Sequence, residues 1–488
     1  MPIFHDTMNQ IKELLMSIKF DTSVQELKFK VLKEIAKGLF NDTLLEEYNE
    51  IPVRISPGPK STMRCCIYKE RAIVLERMKL ALGGNKNIDN IVEVIKVACD
   101  ECPLGGYEVT NRCRACLAHR CQKACHKEAI SFDEINRRAH INKDKCINCG
   151  MCAKACQYNA IQNFLRPCEQ ACKVKAISMD PTDYSASIND EKCVQCGACV
   201  SQCPFGAIMD KSYMKEAIEL LKNNDKHPVI AIIAPAIAAQ IKDVKLGQIV
   251  SAIKKIGFTE VVEAALGADM VAYSEAQELA EKGFLTSSCC PAFVTFIEKD
   301  FPTLKDKISH NLSPMATIAK YIKEHNPDAK IIFVGPCVAK KKEALSDRVH
   351  PYVELSLTFE ELFAMIEAKD INIASLELSE LDNASYFGRV FARSGGLTEA
   401  VTESLKEQNS DFSLKPIACV GLEECRLALL KAKAGTQDFN FVEGMACIGG
   451  CVGGPCSLSH EIRDKMDVDK HAKSTTKPTI EESIKEYK

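Results

Sequence analysis

A chain of 488 residues, 46% of them hydrophobic, is long enough for roughly two to four domains and can bury a core in each. Its net charge of −3 shows no basic excess, which argues against nucleic acid as a partner. No segment has the character of a membrane span, a secretory signal or a twin-arginine signal, so a cytoplasmic location without membrane contact is expected.

In chain order, HDTMNQIKELLMSIKF has the apolar spacing of an amphipathic helix, and residues 1–95 are expected to form a helical cap of unknown role. Within it, ISPGPKSTMRCC has the prolines and glycine of a loop, and Cys65 and Cys66 read either as an extra ligand pair or as plain thiols. Cysteine then dominates. The chain has 26 cysteines, far more than packing requires, and a reducing compartment keeps them from forming disulfides. Sixteen fall between Cys99 and Cys203.

Two runs read C-x2-C-x2-C-x3-C: Cys146, Cys149, Cys152 and Cys156, then Cys193, Cys196, Cys199 and Cys203, the second followed by Pro204. This is the bacterial ferredoxin spacing, in which three thiolates hold one [4Fe–4S] cubane and the fourth reaches the neighbouring cluster. A subtler repeat, C-x3-C followed three residues later by Ala-Ile, occurs as CQKACHKEAI, CAKACQYNAI, CEQACKVKAI and CVSQCPFGAI. Four such halves imply two ferredoxin-like modules, one of them truncated at Cys168 and Cys172. Cys99, Cys102, Cys113, Cys116, Cys121, Cys125, Cys168 and Cys172 supply thiols for two more cubanes; zinc or a lone cluster is the competing reading of these eight. Residues 96–215 are thus expected to be an α+β ferredoxin-like domain holding two to four clusters. Such a row is an electron wire.

From about Pro228 the texture becomes α/β. HPVIAIIAPAI and AKIIFVGPC read as buried strands and SPMATIAKYIKEH as a helix, within a domain expected over residues 225–460. Chemistry in such sheets sits beyond the carboxyl ends of the strands, and Cys337 directly follows IIFVGP. Cys290, Cys337, Cys447 and Cys451 come from three loops and suffice for a further cubane. The glycines beside Cys447 and Cys451 are expected to let the backbone approach a bulky cofactor. Residues 461–488 read as a polar tail.

SSCCPAF, GPCVAKKKE and EGMACIGGCVGGP together resemble the three signature loops of the iron-only, or [FeFe], hydrogenases, and the similarity runs from about Ile233 to Leu458, with APAIAAQ and FARSGG inside it. The resemblance implies a two-lobed α/β catalytic domain and an H-cluster: a [4Fe–4S] cubane joined through a cysteine sulfur to a di-iron site with CO, cyanide and an azadithiolate. It implies Cys290, Cys337 and Cys447 as cubane ligands and Cys451 as the bridge. Lys340 would donate to a cyanide, and Ala234, Pro235, Met315, Phe391 and Met445 would wall the pocket. Cys289 would be the first proton acceptor, with Glu278, Ser309 and Glu343 continuing the relay.

Reversible 2H⁺ + 2e⁻ ⇌ H₂ follows from that resemblance, with ferredoxin or a similar low-potential carrier as electron partner and dedicated maturation proteins for assembly. No glycine-rich dinucleotide fingerprint is present. A scaffold or assembly protein without the di-iron site, or a hydrogen sensor, is the alternative. Several positions depart from the family pattern: Gly335 stands where methionine is usual, Phe293 for tryptophan, Ser287 for threonine, Met315 for glutamine, and Cys456 breaks the glycine-rich tail of the third loop. They imply a divergent subgroup.

Overall fold

The carboxyl-terminal half is built on two parallel sheets. In the first, strands run in the order Glu260–Glu263, Val229–Ile233, Lys330–Gly335, Leu355–Thr358, all parallel. Strand VIAII is buried at every residue, as a run of apolar side chains covered on both faces must be; each buried Ile or Val contributes about 1.5–3 kcal/mol. In the second sheet, Phe441–Met445 lies between Leu285–Thr286 and Pro416–Val420, again parallel. Helix Pro314–His325 begins where Pro314 occupies the first helical position, and it packs on helix Ala264–Lys282. The computed structural model describes residues 18–487 except 101, 104 and 134, so residues 5–17 of the amphipathic opening stretch lie outside the described residues.

The cysteine-rich region consists of short antiparallel ribbons: Val92–Val94 with Ile208–Asp210, Gly106–Val109 with Ile161–Phe164, Ile130–Asp133 with Arg138–Ile141, and Ile177–Met179 with Ala186–Ile188. These pairings nest. The first ribbon closes around the whole region and the second closes around residues 106–164. One ferredoxin-like module is therefore inserted into another. The half that appears truncated at Cys168 and Cys172 is an interrupted one, whose opening pair, Cys99 and Cys102, lies on the far side of the insertion. The inserted module has its own small core, including Ile130, Ala139, Ile141 and Ile161.

The Ala-Ile repeat has a physical cause. In each copy the alanine N–H donates to the sulfur four residues earlier: Ala129 to Cys125 at 3.3 Å, Ala160 to Cys156 at 3.4 Å, Ala176 to Cys172 at 3.1 Å and Ala207 to Cys203 at 3.2 Å. The residue before each alanine has positive φ, which turns that N–H back onto the sulfur. The isoleucine that follows starts a strand in the first, third and fourth copies at Ile130, Ile177 and Ile208, and in the second at Ile161.

The amino-terminal helices join the two halves instead of capping one of them. Helix Ser23–Phe40, capped by Thr22, packs along helix Phe359–Ala368 of the first sheet's lobe, with Lys33 paired to Glu367 at 2.8 Å. Helix Ile67–Ala81 packs instead on the ferredoxin-like region, at strand Ile208–Asp210. The stretch 461–488 reads as a polar tail, but its described residues 461–487 fold back: Val468, Ala472, Ile480 and Ile484 are buried against the two-sheet region. Among the described residues, no helix is long and apolar enough to cross a membrane.

Candidate active site

Every loop that carries a pocket cysteine leaves the carboxyl end of a parallel strand. Strand Leu285–Thr286 runs into Cys289 and Cys290, Lys330–Gly335 into Cys337, and Phe441–Met445 into Cys447 and Cys451. Because the strands belong to two sheets, the pocket lies between the lobes. There the thiols crowd. Burial pushes the Cys337 thiol up to about 12, with Cys290 and Cys451 adding to the effect; burial likewise raises Cys447, which faces Cys337, Cys290 and Cys451. Burial raises Cys451 as well, to about 11; four converging thiols of this kind are the donor set a cubane needs, because a bound metal stabilises the thiolates.

Glycine in the third loop has a different role from the one its sequence suggests. A Cβ on Gly450 would meet the backbone of Arg393 and Ser394 at 2.6–2.9 Å, one on Gly453 the Ile448 carbonyl at 2.1 Å, and one on Gly454 the Pro336 carbonyl at 2.6 Å. These glycines let three protein segments close on one another around Cys447 and Cys451. Gly449, at φ +86°, has open space instead.

Ala234 and Pro235 end strand Val229–Ile233 at the same edge, and Phe391, Met315 and Met445 are buried. Gly335 leaves the space that the Phe333 ring takes, since a Cβ there would meet that ring at 2.7 Å. Phe293 is fully buried against Gly444, and the Ser287 hydroxyl accepts from the Gly444 N–H at 3.1 Å. Lys340 is buried on helix Val338–Ala344 and donates to Glu343 at 2.6 Å. Burial works against its charge, but Glu343 together with Cys337 and Cys289 outweighs it and raises the ammonium pKa.

Sequence reasoning missed one residue. Helix Ala264–Lys282 carries Glu275 three positions before Glu278, on the same face, and Glu275 is wholly buried with neither carboxylate oxygen hydrogen-bonded. Burial pushes its carboxyl up to about 8, although the Ser309 hydroxyl and the Ser288 N–H lie close enough to oppose the shift. Glu275 also faces Cys289, whose thiol burial raises well above the ordinary value. Beyond it Ser309 donates to Glu278 at 2.9 Å, and Glu278 accepts from Lys282 at 2.6 Å and from the His310 N–H at 3.1 Å. Burial opposes the Glu278 charge, but Lys282, His310 and Ser309 hold its carboxyl below the usual range. His310 is exposed. A line of exchangeable groups thus runs Cys289, Glu275, Ser309, Glu278, surface. Glu343 pairs with Lys340 at 2.6 Å instead of with a group of that line. The i, i+3 spacing of Glu275 and Glu278 was the available signal.

Residues 227–455 match the family model described as iron only hydrogenase large subunit, C-terminal domain, and residues 139–162 and 186–209 match a 4Fe-4S binding domain. Residues 227–455 thus form an iron-only hydrogenase-type domain. Iron hydrogenase 1 of Clostridium pasteurianum is 28% identical over 396 residues, which is 69% of this chain and 68% of that protein. NADP-reducing hydrogenase subunit HndD of Solidesulfovibrio fructosivorans is 26% identical over 308 residues, 51% of this chain and 52% of its own. Cytosolic Fe-S cluster assembly factor NAR1 of Meyerozyma guilliermondii is 26% identical over 182 residues, 32% of this chain and 34% of its own.

Ahead of the hydrogenase-type domain, the ferredoxin-like thiols form four neighbourhoods that cross the sequence. Burial pushes Cys196 up to about 12 and raises Cys199 well above its ordinary value; Cys193 and Cys172 act on both, and Cys168 acts on Cys199 as well. Cys168, up to about 12 by burial, and Cys102 both face Cys99 and Cys203. In the inserted module Cys152 faces Cys146 and Cys125, while Cys121 faces Cys116 and Cys156. Cys196 in turn faces Cys290, and Cys447 faces Cys196, so the ferredoxin-like thiols reach the pocket. Cys65 and Cys66 are exposed; Cys456 is buried, with its sulfur 4.0 Å from Asp210.

Proposed function

We propose that this chain is an [FeFe]-hydrogenase catalysing 2H⁺ + 2e⁻ ⇌ H₂. The observation that carries the reading is the buried line from Cys289 through Glu275, Ser309 and Glu278 to the surface, because a protein that only stores or passes on a cubane has no use for a proton path ending beside one. Cys290, Cys337, Cys447 and Cys451 would hold the H-cluster, with Lys340 aimed at its cyanide ligands. When bound, that cluster supplies the iron site at which hydrogen is formed or split. The chain's part is to deliver protons and electrons. The neutral Cys289 thiol holds a proton at its sulfur; Glu275, protonated near neutral pH, replaces it; and the Ser309 hydroxyl passes the next one from Glu278, whose ionised carboxylate collects it at the surface.

Electrons would travel through four [4Fe–4S] clusters: Cys113, Cys116, Cys121 and Cys156; Cys125, Cys146, Cys149 and Cys152; Cys99, Cys102, Cys168 and Cys203; and Cys172, Cys193, Cys196 and Cys199, the last beside the pocket. Ferredoxin or a similar carrier would load the far end, maturation proteins would insert the di-iron site, and a reducing cytoplasm suits this number of free thiols.

The likeness to an iron–sulfur assembly factor supports a second reading, in which the pocket holds a cubane without the di-iron site. Infrared spectra of anaerobically matured protein under hydrogen and then carbon monoxide decide between them. CO and cyanide bands that shift with the gas are expected. Their absence from protein with full cubane absorption and a verified maturation system overturns the hydrogenase reading in favour of the second.

A further inference from the structure

Buried cations in this protein bring their own anions, with a telling exception. Lys28 is paired with Asp210 and Glu360, Lys341 with Asp210 and Glu361, and Arg389 with Glu263 and Asp382. Arg77 and Arg166, buried at 1% and 2% exposure, have no carboxylate partner among the described residues. An unpaired buried guanidinium costs several kcal/mol, so a position that keeps one has an anion to face.

They face two thiols of one neighbourhood, Arg166 at Cys99 and Arg77 at Cys203. Arg166 donates to the Cys99 sulfur at 3.8 Å and to the carbonyls of Pro103 and Tyr184 at 2.8 Å. Arg77 donates to the Gly206 carbonyl at 2.7 Å, lies within electrostatic reach of Cys203, and leaves its Nε buried without a hydrogen-bond acceptor. Arg64 stands beside it, bonded to the carbonyls of Phe205 at 2.8 Å and Ala98 at 3.3 Å; its charge is partly met by the half-exposed Asp100 at 3.9 Å.

Gly206 gives an independent sign that the arrangement is built. The other three copies of the repeat use Glu128, Asn159 and Lys175 at this left-handed position, so glycine is not needed for the turn itself. A Cβ at Gly206 would meet the Arg77 guanidinium at 2.3 Å and Val24 at 2.5 Å. The side chain has been given up to admit the cation.

We propose that Arg77 and Arg166 are the counter-charge of a [4Fe–4S] cluster held by Cys99, Cys102, Cys168 and Cys203, and that they make it the highest-potential cluster of the ferredoxin-like set. A cubane on four thiolates is a net anion that becomes more negative by one charge on reduction, and net charge and hydrogen bonding to sulfur set its potential. Fixed cations favour the reduced form. Among the described residues the ligand sets of the inserted module have no buried arginine without an anion, so an electron leaving an inserted-module cluster, which is oxidised by one electron, comes to rest here, reducing this cluster by one electron with no bond made or broken. The amino-terminal region then has a function: it brings Arg77 and Arg64 to the cluster. The proposal rests on the four-cluster reading above.

The test is an EPR-monitored redox titration of the full-length, cluster-loaded protein, with iron and sulfide counted on the same samples. In Arg77→Gln one cluster's midpoint should move to lower potential while the others stay, and Arg77→Lys should restore most of the shift. Gly206→Ala, which displaces the guanidinium and leaves the residue in place, should move the same cluster in the same direction, and it keeps the test open should Arg77→Gln fail to fold. An unchanged set of midpoints in a variant with full cluster content overturns the counter-charge. Iron lower by one cubane in wild-type protein, with Cys102→Ser changing neither the count nor the spectrum, overturns the ligand set itself, and the two failures are thereby told apart.

Discussion

The ferredoxin-like region and the catalytic lobe both gather cysteines, but they do so in opposite ways. In the former, three of the four proposed sets are three thiols close in sequence plus one from a distant run, the fourth joins the pair Cys99 and Cys102 to Cys168 and Cys203, and every repeat brings its own N–H···S bond, from Ala129 to Ala207. In the latter, Cys290, Cys337 and Cys447 meet only because strands of two different sheets end at one place. A cluster of the first kind is stabilised locally and its surroundings can vary; Arg77 beside Cys203 shows how they do. A site of the second kind depends on the packing of both lobes. The proposed catalysis would therefore sit where geometry is set by the whole fold, and the proposed electron transfer where a short motif suffices.

The sharpest way to break that comparison is to stop the proton line while leaving the clusters alone. Glu275→Gln and Cys289→Ala are each expected to lower hydrogen turnover by about 10²–10⁴-fold, with the EPR spectra of the ferredoxin-like clusters unchanged; turnover close to wild type would remove Glu275 from the line.

Next in size is the joint between the two regions. Asp210 at the end of a ferredoxin-like strand receives Lys28 at 2.6 Å and Lys341 at 2.7 Å, and Lys341 sits beside the pocket residue Lys340. Burial works against the Asp210 charge, yet the two lysines hold its carboxyl well below the usual range. Asp210→Ala strands both cations and should cost about 3–5 kcal/mol in denaturant unfolding. A cost near zero would mean that the two regions fold independently of this contact.

A smaller effect belongs to the catalytic lobe alone. Burial pushes Asp269 up to about 7, against hydrogen bonds from Ser385 and Ser483 at 2.6–2.8 Å. Between the ordinary carboxyl value of 3.8 and about 7 the unfolded chain has lost this proton and the folded one keeps it, so stability falls as pH rises through that window and levels above it. Asp269→Asn should flatten that slope, read from thermal unfolding of the protein at several pH values; an unaltered slope would assign it to other groups.

The smallest effect is expected at the far end of the wire. Cys113→Ser should remove one inserted-module cluster and slow turnover with ferredoxin while leaving dye-driven turnover intact, whereas Cys196→Ser, beside the pocket, should slow both. Equal behaviour of the two variants would contradict the order of clusters.

Much of this was legible in the residues. The two C-x2-C-x2-C-x3-C runs, the Ala-Ile repeat and the buried strands ending in cysteine are local patterns, because ligand spacing, an N–H turned onto a sulfur and a buried strand each depend on neighbours a few positions away. What escaped depended on distant partners. Glu275 looks like any helical glutamate until the fold buries both its oxygens. Glu343 stands close in sequence to Cys337 yet spends its carboxylate on Lys340. The third-loop glycines look like space for a cofactor, and the structure packs three of them against protein backbone.

The sequence by itself determined which thiols could hold iron and how the chain divides in texture, since those follow from residue type and short-range spacing. The tertiary structure was needed to see that one ferredoxin-like module interrupts another, that the amino-terminal helices bridge two regions, and that Arg77 lacks a carboxylate partner among the described residues. Each of these is a pairing between segments far apart in the chain, and no local pattern encodes which distant surface a strand or a charge will meet.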